Sequence, residues 1–265
     1  DPEAGPRAKE LFADAQKMLS SAISEGWLRA RGIVGMYPAN SVGDDVHVWG
    51  ADDAAAGGKE PVAVFHTLRQ QAQKESADPY LALSDFVAPK DSGLVDHIGA
   101  FACAVFGASE KGKEFEADGD DYNKIMAEAL ADRLAEAFAE VLHLKMRTSL
   151  WGHSADEELN PDDLLKIKYQ GIRPAPGYPS QPDHTEKRTL WSLLKVEEKT
   201  GIELTDSLAM MPAAAVSALI FAHKETNYFA VDRVCKDQVV DYAARKGVSV
   251  EEAEKWLSPI LAYDA

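Results

Sequence analysis

The chain has 265 residues, of which 46% are hydrophobic and 27% charged, and its formal net charge is −16. A chain of this size buries a full core as one large domain or two small ones. Its acidity argues against nucleic acid and anionic membrane surfaces as partners, since both are met by clustered Lys and Arg.

No apolar run approaches the ~20 residues of a membrane span, and no signal peptide opens the sequence. The chain begins Asp1-Pro-Glu without an initiator methionine, which reads as a piece of a larger protein. Leu11, Phe12, Ala15, Met18, Leu19, Ala22 and Ile23 repeat at helical spacing and predict an amphipathic helix ended by Gly26. Gly32–Tyr37 then reads as a buried strand stopped by Pro38. Asp45–Trp49 alternates as an antiparallel partner. Ala51–Gly58 is a hairpin tip or surface loop. Further strands are expected at Pro61–His66 and His97–Phe106.

Cys103 and Cys235 stand far apart, so they form no disulfide framework or metal pair. They read as inert buried thiols of a cytoplasmic protein. The longest helix is predicted from Tyr122 to about Thr148. Met126, Leu130, Leu134, Ala137, Phe138 and Val141 fall on one arc, while Asp132, Glu136, Glu140 and His143 fall on a solvated opposite side. A further helix is expected over Glu186–Lys199, ended by Gly201. Val216–Ala222 and Asn227–Val231 read as two strands of a hairpin, and two helices close the chain. The second opens with the capping box Ser249-Val-Glu-Glu252. Strands, then helices, then a late hairpin predict an α+β fold, a single elongated domain around a central antiparallel sheet flanked by helices.

The segment Gly171-Ile-Arg-Pro-Ala-Pro-Gly-Tyr-Pro-Ser-Gln-Pro-Asp183 holds four prolines and two glycines in 13 residues. It cannot form a helix or an inner strand, so it is a stiff extended loop. Arg173 offers a planar fork suited to a carboxylate, and Tyr178 offers an aromatic face. Residue types alone leave two readings, a rigid connector with a salt-bridged arginine or a small-ligand loop. Asp183 reads as a helix cap, and His47 and His66 as structural or surface residues. Asp44-Asp45 and Asp120-Asp121 beside glycines read as turns. Tyr228 and Phe229 are adjacent in a strand pattern and face opposite sides, so either both simply pack or one enters the core while the other lines a surface or pocket. P-loop, GxGxxG, GxSxG, HExxH and CxxC patterns are missing, and no catalytic residue or metal ligand set is proposed.

Taken as strings, Gly171–Pro179, Arg31–Asn40, Leu83–Pro89, Ala131–Glu140, Asp237–Tyr242 and Trp256–Asp264 resemble the C-terminal activation domain of cobalamin-dependent methionine synthase. The Arg173-Pro-Ala-Pro-Gly177-Tyr178 run resembles that family's RxxxGY signature, and the likeness spans residues 1–265. It implies a domain that binds S-adenosylmethionine and supports reductive methylation of cob(II)alamin to methylcobalamin. Arg173 would hold the ligand's carboxylate, with Ala175 and Gly177 close to it. Tyr178, Tyr228 and Phe229 would border the adenosine and sulfonium, and Glu136 would hold the amino group.

The family's further aspartate contact lies upstream of this chain. The implied partners are a flavodoxin or flavodoxin-like diflavin reductase and the cobalamin-binding domain of the same polypeptide. The cobalamin is carried by that other domain, and zinc belongs only to the catalytic part, so this chain alone would not make methionine. Two alternatives are a docking module that recruits the flavoprotein with an impaired ligand site, and a stand-alone reactivase for another corrinoid protein. Lys187 and Arg188 after the loop read as a solvated helix face, with a local docking patch as the alternative.

Overall fold

The computed structural model describes residues 4–50, 60–75 and 77–265; the Ala51–Gly58 loop expected from the sequence lies outside the described residues. The chain forms α1 (Ala4–Glu25), β1 (Arg29–Val42), β2 (Asp45–Val48), β3 (Ala63–His66), β4 (Asp96–Phe106), α2 (Ala108–Ala117), α3 (Asp121–Lys145) and α4 (Pro161–Leu165). It continues through α5 (Glu186–Leu194), α6 (Val196–Thr200), β5 (Glu203–Leu204), β6 (Met210–Met211), β7 (Ala215–Ile220), α7 (Lys236–Lys246) and α8 (Val250–Leu257). The fold is the expected α+β class. A five-stranded sheet has the order β3-β2-β1-β4-β7, and β5 and β6 form a separate antiparallel pair. β1–β2 and β2–β3 are antiparallel, with Val42 opposite Asp45 and Val46 opposite Phe65.

The chain divides into two compact units. One comprises residues 1–33, 102–141 and 197–216, and the other residues 34–101, 142–196 and 217–265. In the first unit α1 packs through Ala15 and Met18 against Met126, Ala127, Trp27 and Phe115, and its Ala22 is buried. Only part of its apolar stripe is used, for Leu11, Phe12 and Ile23 are exposed. The buried line of α3 also differs from the expected Leu/Phe/Val arc. It runs through Ala127, Ala131, Ala135 and Ala139 and ends on His143, while Val141 is exposed. Alanines at this spacing let a helix approach its neighbours closely, and Val105, Ala108 and Ala214 fill against Ala131 and Ala135.

β1 continues through Pro38 instead of stopping there. Pro38 takes part through its carbonyl, which accepts from Trp49 N–H at 2.8 Å, so its missing donor costs nothing at that pair. The indole of buried Trp49 donates to Asn40 Oδ1 at 3.0 Å, and Asn40 donates in turn to the carbonyls of Ala88 and Leu94.

The Glu186–Lys199 helix is broken into α5 and α6 by Lys195, whose φ is 54°. Ser249 caps α8 as expected, accepting from Glu252 N–H at 3.2 Å. Behind it, Val231, Val239, Tyr242 and Leu257 form a fully buried cluster, each aliphatic member contributing about 1.5–3 kcal/mol. Cys103 is buried, whereas Cys235 is exposed in the turn that precedes α7, contrary to the expectation of two buried thiols.

Candidate functional site

The proline-rich segment closes the edge of the sheet. Ile172 and Phe221 exchange backbone hydrogen bonds at 3.0 Å, and Leu219 N–H donates to Pro174 O at 3.0 Å. Gly171 has φ +97°, and a Cβ there would stand 2.6 Å from Phe221 O, so only glycine permits this approach. Occupation of that edge explains why Asn227–Val231 is not a strand: β7 already has its neighbour. The loop then folds on itself, Tyr178 N–H donating to Ala175 O at 3.0 Å and Gly177 N–H to Gln181 O at 2.7 Å. Val231 N–H donates to Pro179 O at 2.9 Å, tying the following segment to the loop without making it a strand.

Arg173 is half-buried and held from several sides. Its backbone N–H donates to Tyr228 Oη at 3.0 Å. Its guanidinium Nη1 donates to His143 Nδ1 at 3.0 Å and to Tyr169 Oη at 3.2 Å. Because arginine only donates, His143 Nδ1 carries no proton and the ring proton is on Nε2. Burial, reinforced by the Arg147 and Arg173 cations, holds the His143 pKa down at about 2, so the ring is neutral.

Tyr169 stands between two of these groups. The His143 ring meets it edge-on at 5.0 Å, and the Arg147 guanidinium lies 4.1 Å over its face. Arg147 is itself fully buried and paired with Glu157 through two 2.8 Å bonds. A single π turn, Met146–Leu150, directly follows α3 and carries Arg147.

Tyr178 and Tyr228 are exposed, at 63% and 43%. Phe229 turns inward, its ring 6.3 Å from that of Phe86, so the adjacent aromatics face opposite ways as expected although the backbone is irregular. The structure thus brings Arg173, Ala175, Gly177, Tyr178, Tyr228 and Phe229 together in one unit. Glu136 belongs to the other unit, where it is exposed on α3 beside a depression of about 360 Å³ lined also by Asp132, Arg133 and Val216.

Thr185, not Asp183, is the N-cap residue of α5, and Asp183 instead anchors the entry to that helix. It accepts from Thr185 N–H and Tyr242 Oη at 2.7 Å each and pairs with Lys246 at 3.0 Å. Burial alone would raise its pKa, but Lys246 and these donors outweigh burial and lower it. Lys187 is buried with its Nζ 3.1 Å from His184 Nδ1, so it does not make an exposed docking patch with Arg188.

The sequence reading missed His143 and Tyr169. For His143 a signal existed, since the alanines at positions 127, 131, 135 and 139 point by fours to residue 143. Among the described residues no group of three His, Cys, Asp or Glu side chains is placed to hold a metal. None of the described helices is long and apolar enough to cross a membrane.

Fold and site together define an α+β domain with an arginine-centred polar site on a proline-rich loop. Residues 1–247 match the family described as the vitamin B12 dependent methionine synthase activation domain, and the chain belongs to that family. It is also similar to a crystal structure of the MetH reactivation domain bound to AdoHcy. The two are 49% identical with a TM-score of 0.96, covering 100% of this chain and 80% of the other.

Proposed function

We propose that this chain binds S-adenosylmethionine on the Gly171–Pro179 loop and serves as the reactivation module of a cobalamin-dependent methionine synthase. The observation that carries this reading is Arg173, whose guanidinium is fixed by His143 and Tyr169 and whose backbone N–H is bonded to the exposed Tyr228. The bound AdoHcy named for the 49%-identical structure supports it, because AdoHcy and S-adenosylmethionine share the carboxylate, amino group and adenosine.

When bound, S-adenosylmethionine would supply a sulfonium methyl group and leave as AdoHcy, the methyl and one electron from a flavodoxin or flavodoxin-like diflavin reductase together converting cob(II)alamin to methylcobalamin. The residues of this chain bind and orient. Arg173 pairs with the carboxylate. The loop backbone at Ala175 and Gly177 lies along the ligand. Tyr178 and Tyr228 border its adenosine and sulfonium, where aromatic faces gain cation–π attraction, and Phe229, whose ring turns inward, joins that border on the strength of the sequence resemblance alone. Glu136 takes the amino group, on the strength of the sequence resemblance. No acid or base is needed from the protein, since a sulfonium is already an activated donor and positioning is the contribution that remains. The cobalamin is carried by a separate domain of the same polypeptide, and the full enzyme is the methyltransferase.

Calorimetric titration of the chain with S-adenosylmethionine tests the reading. Arg173→Ala is expected to weaken binding at least about tenfold, as loss of a charge-assisted bond requires. A folded chain that shows no binding would instead favour a module whose task is docking the flavoprotein.

A further inference from the structure

The Arg173 guanidinium is held through Nη1 by two side-chain acceptors. Its Nη1 meets a neutral imidazole nitrogen at 3.0 Å and a phenol oxygen at 3.2 Å. Both acceptors are themselves immobilised. His143 is 0% exposed on the last turn of α3, and Tyr169 is 9% exposed between the His143 edge and the Arg147 cation. Arg147 is in turn fixed by its two bonds to Glu157.

These two acceptors fix the direction of one guanidinium nitrogen, and because the fork is planar and rigid they constrain the orientation of the whole group. The arrangement also has a cost. His143 Nε2 is buried without a hydrogen-bond partner, which most buried polar groups avoid. An imidazole used only to fill space would be replaced by an apolar side chain of similar volume at no such cost.

We propose that His143 is a positioning residue: its Nδ1, with the hydroxyl of Tyr169, sets the plane in which the Arg173 guanidinium meets the ligand's carboxylate. This inference rests on the reading of the loop as an S-adenosylmethionine site. It assigns His143 no contact with the ligand and no proton transfer. The acceptor must occupy the Nδ1 position, one bond beyond Cγ, because that is where Nη1 is met.

That requirement makes the test sharp. Asparagine at 143 places its Oδ1 near the Nδ1 position, whereas glutamine carries its oxygen one bond further along and leucine has no acceptor. Affinities for S-adenosylmethionine and for 5′-methylthioadenosine, which lacks the amino-acid moiety, are measured by calorimetry on each variant, with folding checked by thermal melts. The expected result is that H143N stays within about threefold of the parent chain for S-adenosylmethionine, while H143Q and H143L lose about tenfold. Methylthioadenosine binding is expected to be unchanged throughout, and H143Q is expected to add no further loss in an R173A background.

Equal losses for both ligands, or equal behaviour of H143N and H143Q, would overturn the proposal and leave His143 a packing residue. If H143L does not fold, the Asn/Gln comparison decides alone. A parent chain that fails to bind S-adenosylmethionine, or an R173A variant that binds it normally, brings down the site reading as well. Weakening by R173A with silent His143 variants brings down the present inference only.

Discussion

The imidazole of His184 lies directly beneath the α-carbon of Gly177, so close that a methyl group there would stand 2.1 Å from its Cε1. Gly177 also has φ +96°, a conformation that other residues adopt only with strain. Two independent reasons therefore require glycine at the centre of the loop, neither of which involves a ligand. Gly177→Ala is expected to destabilise the chain by about 2–4 kcal/mol in denaturant titration, summing backbone strain and overpacking. Adding His184→Ala should recover the steric part and leave roughly 1 kcal/mol of strain. Full recovery would mean that the φ value carries no cost.

Removing one member of the Arg147–Glu157 pair strands a charge, since Arg147 is 0% and Glu157 7% exposed at the side chain. Arg147→Met and Glu157→Gln are each expected to cost about 3–5 kcal/mol. The double variant should cost clearly less than the sum, because neither charge is then left alone. Additive losses in urea unfolding would show that the two side chains act separately. The cation over Tyr169 gives this pair a second effect. Arg147→Met should also loosen Tyr169 and lower S-adenosylmethionine affinity.

Acid should unfold this chain through His143. The folded-state pKa is about 2 and the ordinary value 6.5, so between these limits the unfolded chain binds the extra proton. Stability therefore rises with pH through that window and falls as pH drops below 6.5, by up to about 1.4 kcal/mol per pH unit from this one residue. His47, His153 and His184 are also lowered, burial being the leading cause in each, and they act in the same direction. Urea unfolding free energies at pH 6.5, 5.5 and 4.5 should fall less steeply in H143N than in the parent chain. Equal slopes would contradict a buried neutral imidazole.

Much of the fold was legible because periodicity reports burial. The strands at Asp45–Trp49 and His97–Phe106 and the long helix after Asp121 stand where the pattern placed them. The failures share a physical cause, in that tertiary partners decide what a local pattern leaves open. Pro38 stays within β1 because the pairing there uses its carbonyl, and Asn227–Val231 is no strand because the loop has taken the edge of β7. His143 looked solvated because the Leu and Phe side chains of α3 outweighed its alanines in the pattern, yet the alanines form the packed seam.

The candidate site was legible in its loop, where proline and glycine dictate backbone shape directly. Its support was not. Two acceptors of Arg173 come from residues 4 and 30 positions away, and no spacing rule links them.

Exposed Tyr178 should matter to binding and little to folding. Tyr178→Ala is expected to change thermal stability by no more than about 0.5 kcal/mol, since its side chain is 63% exposed. Its affinity for S-adenosylmethionine should fall several-fold through loss of an aromatic border. A large drop in melting temperature with unaltered binding would assign Tyr178 to structure instead.

The most direct test of the central claim is a crystal structure of this chain with AdoHcy. The account predicts the ligand on the Gly171–Pro179 loop, with a carboxylate oxygen about 2.7–2.9 Å from the Arg173 guanidinium. A ligand bound elsewhere, or one whose carboxylate makes no hydrogen bond to Arg173, would contradict it.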